Sequence, residues 1–333
     1  MLGQNIGNRN AESRNGSGLK IGLALGSGAA RGWAHIGVLR ALEESGIEPD
    51  IICGTSIGAA VGAAYLTDQL DELQAWALKM GWLGMLGIID LTFRRGGLVA
   101  SEKAFERFHN ERTDVRIEDL PLGFASVATD LSTGREIWLR EGPLLPAVLA
   151  SAAMPGLFPA VRHEGRWLVD GALVNPVPVS LCRALGADVV VAVNLNSELS
   201  PLGRPGNAKA EAKREPVTAG GDAGSPTFSH LTGQISTWLG RKPNRRTRFL
   251  ADQLDHSRAQ IPNALEVMAG SIDIMQDRIT RSRLAGEPPD VLIAPRLAHI
   301  GILEFDRAAE AVEIGHAAAS MLRPSIELAL RRA

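Results

Sequence analysis

The run Gly54-Thr55-Ser56-Ile57-Gly58 places a serine between two glycines, where a strand gives way to a helix. Apolar residues 51–53 predict the strand, and an alanine-rich stretch to about residue 66 predicts the helix. A G-x-S-x-G turn at such a junction predicts a nucleophile elbow, with the Ser56 hydroxyl projecting beside a helix N-terminus that favours negative charge. Because bare matches are common, a glycine-rich helix start that only packs closely stays open.

A second small-residue loop, Gly26-Ser27-Gly28-Ala29-Ala30-Arg31-Gly32, links a predicted strand at 20–25 to a helix at 33–45. In a parallel sheet, the C-terminal ends of all strands share one edge, and consecutive strands are often neighbours. We therefore expect this loop to lie near Ser56. Small residues leave backbone N–H groups accessible to a developing oxyanion, so the loop predicts an oxyanion hole.

The same loop could instead bind a dinucleotide, but its spacing is unfavourable. The usual fingerprint is G-x-G-x-x-G/A, whereas here Gly26 and Gly28 are followed by Gly32. The last fingerprint position falls on Arg31, whose long side chain would block close helix–strand packing. The sequence therefore favours the oxyanion interpretation.

A serine nucleophile needs a base, and Asp170 is one candidate. It ends a predicted strand at 166–169 and begins Asp170-Gly171-Ala172. A plain surface turn is the alternative, since Asp-Gly favours turns. Burial would have to raise the carboxyl pKa above its ordinary ~3.9 to make a competent base.

Histidine is the other candidate base. His299 and His316 lie late in the chain, where an ordinary α/β-hydrolase has its histidine, but here the elbow follows only the second strand, which fits that fold badly. His35 is expected to pack or to form hydrogen bonds within the first helix. His230 and His256 flank poorly patterned sequence.

Composition fits a globular α/β protein. Of 333 residues, 45% are hydrophobic and 22% charged, and the net charge of −2 provides no global field for nucleic acid. The two cysteines, Cys53 and Cys182, exclude a disulfide scaffold and favour a reducing compartment. Strands alternate with helices, which indicates a parallel sheet; further elements are predicted as strands at 123–129, 188–195 and 291–294 and a closing helix at 307–321.

Two segments are too polar to bury a core. Residues 1–18 are expected to be a disordered tail without a visible signal peptide, and residues 200–227 a disordered insertion rich in Pro and Gly. Because the later strand and helix continue the α/β pattern, residues 19–333 are expected to form one domain.

These motifs together resemble the patatin-like phospholipases, in particular a bacterial branch similar to the catalytic domain of neuropathy target esterase. The stretch 22–39 resembles the family's opening, and the Ser56 and Asp170 motifs follow in the family's order and strand contexts. The resemblance covers about residues 20–196 and, more weakly, 291–318. The family's loop reads G-G-G-x-R-G, and here Ser27 and Ala29 replace two of its glycines.

The resemblance implies a three-layer α/β/α sandwich with a mostly parallel central sheet. It further implies a Ser56–Asp170 dyad without a catalytic histidine: Ser56 attacks an ester carbonyl, Asp170 accepts the proton, and the amides of Gly28 and Ala29 hold the oxyanion. Its implied substrates are phospholipids, lysophospholipids or related fatty-acyl esters, with no metal, organic cofactor or nucleic acid. Motif support is expected from Gly26, Arg31, Gly32, Gly54, Gly58, Gly171 and Ala172.

Membrane contact is a further expectation. The apolar stretch 80–89 and the five basic residues within 241–248 could touch lipid, although a buried element and a solvated face are the simpler interpretations. No membrane span is predicted. The expected location is the cytoplasm, with peripheral contact at the inner membrane face. A silent partner-binding protein that has kept the fold stays open as an alternative.

Overall fold

The computed structural model describes residues 18–79, 109–197 and 264–333. The chain divides into two compact units, Met1–Arg204 with Met275–Ala333, and Pro205–Ile274. The sheet described below belongs to the first unit; within the second, the described residues are helical. The predicted insertion and both proposed lipid-contact stretches lie outside the described residues, as does the predicted tail except for Gly18.

The described residues form one eight-stranded sheet in which hydrogen-bonded partners follow the path β5-β6-β3-β2-β1-β7-β8, and β4 also pairs with β3. The pairs among β3, β2, β1, β7 and β8 are parallel, and those involving β4, β5 and β6 are antiparallel. The strands are β1 (Ile21–Leu25), β2 (Ile51–Thr55), β3 (Gly123–Asp130), β4 (Glu136–Leu139), β5 (Val161–His163), β6 (Arg166–Asp170), β7 (Val189–Val193) and β8 (Val291–Ile293). The α-helices are α1 (Ala34–Glu44), α2 (Ile57–Leu66), α3 (Leu70–Lys79), α4 (Leu144–Ser151), α5 (Val179–Ala184), α6 (Ala264–Gly286) and α7 (Ala308–Arg332).

Helices cover both faces of the sheet because strand side chains alternate between the faces. Leu23 of β1 belongs to a core shared with α1, α2 and α7, whereas its neighbour Ala24 belongs to a second core that includes residues of α5. The α/β/α fold is therefore confirmed. The predicted closing helix is also present but longer, since it continues through Pro324 to Arg332.

One feature of β3 brings the two motif residues together. Thr55 of β2 lies opposite Val127, and Asp170 of β6 lies opposite the next residue, Ala128. Val127 and Ala128 also both pair with β4. Because β4 occupies one edge of β3 here, β2 and β6 must both pair with the other edge. The parallel strand β2 ends opposite Val127 and the antiparallel strand β6 ends opposite Ala128, so their C-terminal ends meet.

Candidate active site

The turn at Ser56 is tight and strained. Ser56 has φ 59° and ψ −124°, a region that non-glycine residues enter at a cost on the order of 1–3 kcal/mol. A Cβ at Gly58 would lie 2.2 Å from the Leu25 carbonyl oxygen, and one at Gly54 would lie 2.3 Å from the Ala59 Cα. Both glycines are therefore required by close packing between the start of α2 and the adjoining strands.

Ser56 and Asp170 are in direct contact. The Ser56 hydroxyl donates to Asp170 Oδ2 at 2.6 Å, and the two residues are only 5% and 2% exposed. The other carboxylate oxygen accepts the Ala172 amide at 2.8 Å. The Asp170 backbone is fixed by its own amide, which donates to the Ala153 carbonyl, and by the Thr129 hydroxyl, which donates to the Asp170 carbonyl.

Burial strengthens Asp170 as a base. Loss of solvent raises the pKa of its carboxyl from 3.8 to about 6, although hydrogen bonds from Ser56 and Ala172 oppose the rise. With this pKa, the Asp170 carboxyl group is still mostly ionised at neutral pH, yet it is a stronger base than the carboxylate of an ordinary aspartate. The arrangement can therefore take a proton from the Ser56 hydroxyl.

The small residues around Asp170 and in the first loop allow close backbone approach. A Cβ at Gly171 would lie 2.2 Å from the Val127 carbonyl oxygen, and one at Gly26 would lie 2.6 Å from the Val193 carbonyl oxygen. A Cβ at Gly32 would collide with the side chain of Ile57, the residue after Ser56, at 2.2 Å. The last contact places the loop against the start of α2, next to the serine.

Hydrogen bonding within this loop leaves two amides available. The amides on either side of the pair are satisfied by carbonyls: Gly26 by Val193, Ser27 by Pro176, Ala30 by Ile302 and Arg31 by Gly28. Among the described residues, the amides of Gly28 and Ala29 have no hydrogen-bond partner. Ala29 also has φ 48°, in the left-handed region. Two adjacent free N–H groups are what an oxyanion hole requires.

Arg31 is buried beneath the loop. Its Nε donates to the Ile300 carbonyl at 2.7 Å, and its Nη1 donates to Asn196 Oδ1 at 3.1 Å. The side chain is 3% exposed. These contacts favour a role for Arg31 in holding the loop in place.

Sequence reasoning missed Ser151, the last residue of α4. Its hydroxyl oxygen accepts the Ser56 amide at 2.9 Å, and it is fully buried. The bond ties the strained turn to a helix 95 residues further along the chain. Nothing in the sequence around Ser151 indicates this contact.

We expect Ser151→Ala to lower the free energy of unfolding by about 1–3 kcal/mol, because the Ser56 amide would remain buried without its acceptor. Urea unfolding measures the change. Ser126→Ala is the matched control: Ser126 is equally buried, but its hydroxyl makes only a 3.3 Å bond to the Ala147 carbonyl. Equal losses in both variants would contradict a special role for Ser151.

The two late histidines contact glutamate side chains rather than Ser56. His299 Nε2 lies 2.8 Å from Glu310 Oε1, and His316 Nε2 lies 2.9 Å from Glu44 Oε2. Both histidines are partly exposed. The Ser56 hydroxyl is bonded instead to a carboxylate, so the geometry does not favour a Ser-His-Asp arrangement within the described residues.

His35 is buried beneath the first loop. Its Nε2 lies 2.7 Å from the Gly26 carbonyl oxygen, which can only accept, so Nε2 carries the proton. Its Nδ1 is buried without a partner among the described residues. Burial lowers the pKa of the imidazole from 6.5 to about 4, so His35 is neutral in the folded protein.

This histidine should make the fold sensitive to acid. Folding lowers the pKa of His35, so between pH 6.5 and 4 this histidine is protonated in the unfolded chain but neutral in the native state. We expect this difference in protonation to lower the free energy of unfolding by about 3 kcal/mol as the pH falls to 4. His35→Gln, whose amide can still donate to Gly26, should lose less thermal stability than the wild type between pH 7 and 4.5. The exposed control His109→Gln should follow the wild type; if His35→Gln also follows it, the prediction is wrong.

The described residues contain neither a cluster of metal-ligating side chains nor a membrane-spanning helix. Across 18–79, 109–197 and 264–333, no group of three or more His, Cys, Asp or Glu side chains is arranged to hold a metal ion. None of the helices in these ranges combines the length and apolar character needed to cross a membrane.

Comparison with known proteins agrees with the motifs. The family model described as patatin-like phospholipase matches residues 23–183, a range that contains both Ser56 and Asp170. An uncharacterized NTE family protein of Mycobacterium tuberculosis is 33% identical over 342 residues, which cover 95% of this chain and 94% of the relative.

Larger proteins contain a similar region. Lysophospholipase NTE1 of Pyricularia oryzae is 30% identical over 90% of this chain, which corresponds to 18% of that protein. Patatin-like phospholipase domain-containing protein 6 of Mus musculus is 33% identical over 55% of this chain and 14% of its own length. With near full-length similarity to an NTE family protein and a patatin-like match across both motifs, this chain belongs to the NTE group of the patatin-like phospholipase family.

Proposed function

We propose that this protein is a serine acyl-ester hydrolase that acts on phospholipids, lysophospholipids or related fatty-acyl esters. The observation that carries the proposal is the buried 2.6 Å hydrogen bond from Ser56 Oγ to Asp170 Oδ2. The nearby amides of Gly28 and Ala29 and the names of the NTE lysophospholipases support it. The substrate class itself rests on those relatives.

In the first half-reaction, Ser56 Oγ attacks the ester carbonyl carbon while Asp170 accepts the hydroxyl proton. The carbonyl oxygen becomes an oxyanion, which the amides of Gly28 and Ala29 stabilise; one such donor typically contributes about 10²–10³ in rate. The start of α2 adds a favourable dipole. As the tetrahedral intermediate collapses, Asp170 returns the proton to the leaving alcohol, and the acyl group stays on Ser56.

In the second half-reaction, water attacks the acyl-enzyme and Asp170 takes its proton. The same two amides stabilise the second oxyanion. Collapse then releases the fatty acid, and the proton on Asp170 returns to Ser56 Oγ. One carboxylate thus serves both halves, which is consistent with a raised pKa, because the group must both gain and give up a proton near neutral pH.

The full chain should be incubated with lysophosphatidylcholine and, separately, phosphatidylcholine, and released fatty acid measured by mass spectrometry. A fluorophosphonate should add once to the folded protein, on the peptide that contains Ser56. Replacing His299 and His316 separately should leave activity unchanged. A folded protein that neither releases fatty acid nor takes the label would contradict the proposal and favour a silent partner-binding protein.

A further inference from the structure

A buried polar network lies under the loop that carries the two free amides. It joins four side chains, each between 2% and 4% exposed: Ser27, Arg31, Asn196 and Gln276. Ser27 and Arg31 belong to the loop, Asn196 follows β7, and Gln276 lies on α6. Buried polar groups are costly unless they are paired, so a network at this position needs an explanation.

Hydrogen-bond chemistry fixes the direction of this network. Arg31 can only donate, so its Nη1 at 3.1 Å defines the facing atom of Asn196 as the amide oxygen. Asn196 Nδ2 then donates to Gln276 Oε1 at 3.0 Å. The same Gln276 oxygen accepts the Ser27 hydroxyl, also at 3.0 Å. Gln276 Oε1 on α6 therefore accepts two hydrogen bonds, one from Ser27 in the loop and one from Asn196, which itself accepts from Arg31.

The network brackets the free amides. Ser27 precedes Gly28, and Arg31 follows Ala29 by two residues, so both ends of the short segment are held from below. Ala29 has φ 48°, a conformation that an alanine does not adopt without support. The Ser27 hydroxyl is present only because this loop departs from the family's all-glycine start.

We propose that Asn196 and Gln276 are positioning residues for the oxyanion loop, acting through Ser27 and Arg31 to aim the amides of Gly28 and Ala29. The inference rests on the proposed function and adds residues outside its motifs. A positioning role predicts a specific kinetic signature. Because the amides matter most when the oxyanion forms, a displaced loop should lower kcat with little change in KM.

Gln276→Leu removes the shared acceptor at similar size, and Gln276→Glu keeps an acceptor oxygen. Using the full chain and a soluble short-chain ester, we expect Gln276→Leu to lower kcat by about 10–10²-fold with KM within twofold, since small misplacements at an active site can cost this much. Gln276→Glu should retain kcat within about threefold. In the Gln276→Leu background, adding Ser27→Ala should cause no further loss, because the hydroxyl has already lost its acceptor.

The outcomes separate the two levels of inference. If the wild type hydrolyses esters through Ser56 but Gln276→Leu keeps kcat within twofold, or if the Leu and Glu variants lose activity equally, the positioning role is wrong and the proposed function stands. If the wild type shows no Ser56-dependent hydrolysis, the proposed function itself fails.

A folding defect in Gln276→Leu would not block the test. Ser27→Ala then decides, beside the buried control Ser126→Ala. A kcat loss of threefold or more at constant KM, seen only in Ser27→Ala, supports the role, and wild-type kcat overturns it.

Discussion

Ser56→Ala is expected to reduce ester hydrolysis by about 10⁴-fold or more, because loss of the nucleophile removes the acyl-enzyme route altogether. Fluorophosphonate labelling should disappear with it. The variant should still fold: the side chain is small, and its removal leaves the turn held by the Ser56 amide bond to Ser151. It also relieves Asp170 of one hydrogen bond without adding bulk.

The matched control for this variant is again Ser126→Ala, a buried serine on β3 that forms no bond with Asp170. It should keep wild-type kcat and full labelling. Activity should be followed as released fatty acid, with circular dichroism to verify folding. Substantial hydrolysis by a folded Ser56→Ala protein would show that another residue attacks the ester, and it would end the proposed mechanism.

The turn at Ser56 could be predicted because its signal is local. A strand pattern, a small-residue turn and a helix pattern follow each other within about twenty residues, and each constrains the next. The six predicted strands are present, each with at least one end shifted by one or two residues. Strands β4 and β5 were not predicted, since they span only four and three residues, too few to show a clear strand pattern.

The position of Asp170 beside Ser56 was harder to predict from the sequence. Its strand pattern indicated a residue at a strand end, but β6 runs antiparallel to β3, and the argument from a shared parallel edge does not reach it. Contact with Ser56 comes from two strands meeting end to end on one edge of β3. Strand order is set by tertiary packing, which a pattern of residue types does not encode.

Tertiary contacts account for the other omissions. Ser151 lies 95 residues from the amide it accepts, and Gln276 lies 249 residues from Ser27. Each is a common polar residue on a helix, where the usual expectation is solvent exposure. Only burial, together with a named partner, distinguishes them from surface side chains.

The base strength of Asp170 was also left open by the sequence, and it leads to the second large effect. We expect Asp170→Asn to lower kcat by about 10²–10⁴-fold, because the amide cannot accept the Ser56 proton. In the wild type, kcat/KM should rise with pH and level off above a midpoint near 6, since the carboxyl must be ionised to act as a base. A pH profile without a midpoint between 5 and 7 would contradict this role.

The same substitution should make the protein more stable at neutral pH. The Asp170 pKa is raised on folding, from 3.8 to about 6, so the native state holds the proton more tightly than the unfolded chain does. The stability that this provides is fully present below pH 3.8 and is lost as pH rises through 6, a difference of about 3 kcal/mol. Asparagine is neutral throughout and can still accept the Ala172 amide.

The Tm of Asp170→Asn should therefore exceed that of the wild type above pH 7, and the gain should vanish near pH 4. Asp306→Asn, which removes an exposed carboxylate, should show no such pH-dependent gain. Because the His35 pKa is depressed over nearly the same range, the two buried groups oppose each other in the wild type. In Asp170→Asn, the loss of stability that His35 causes on acidification should therefore be steeper than in the wild type. If Asp170→Asn is inactive but its Tm difference from the wild type is no larger at pH 8 than at pH 4, then ionisation of Asp170 costs the native state little stability.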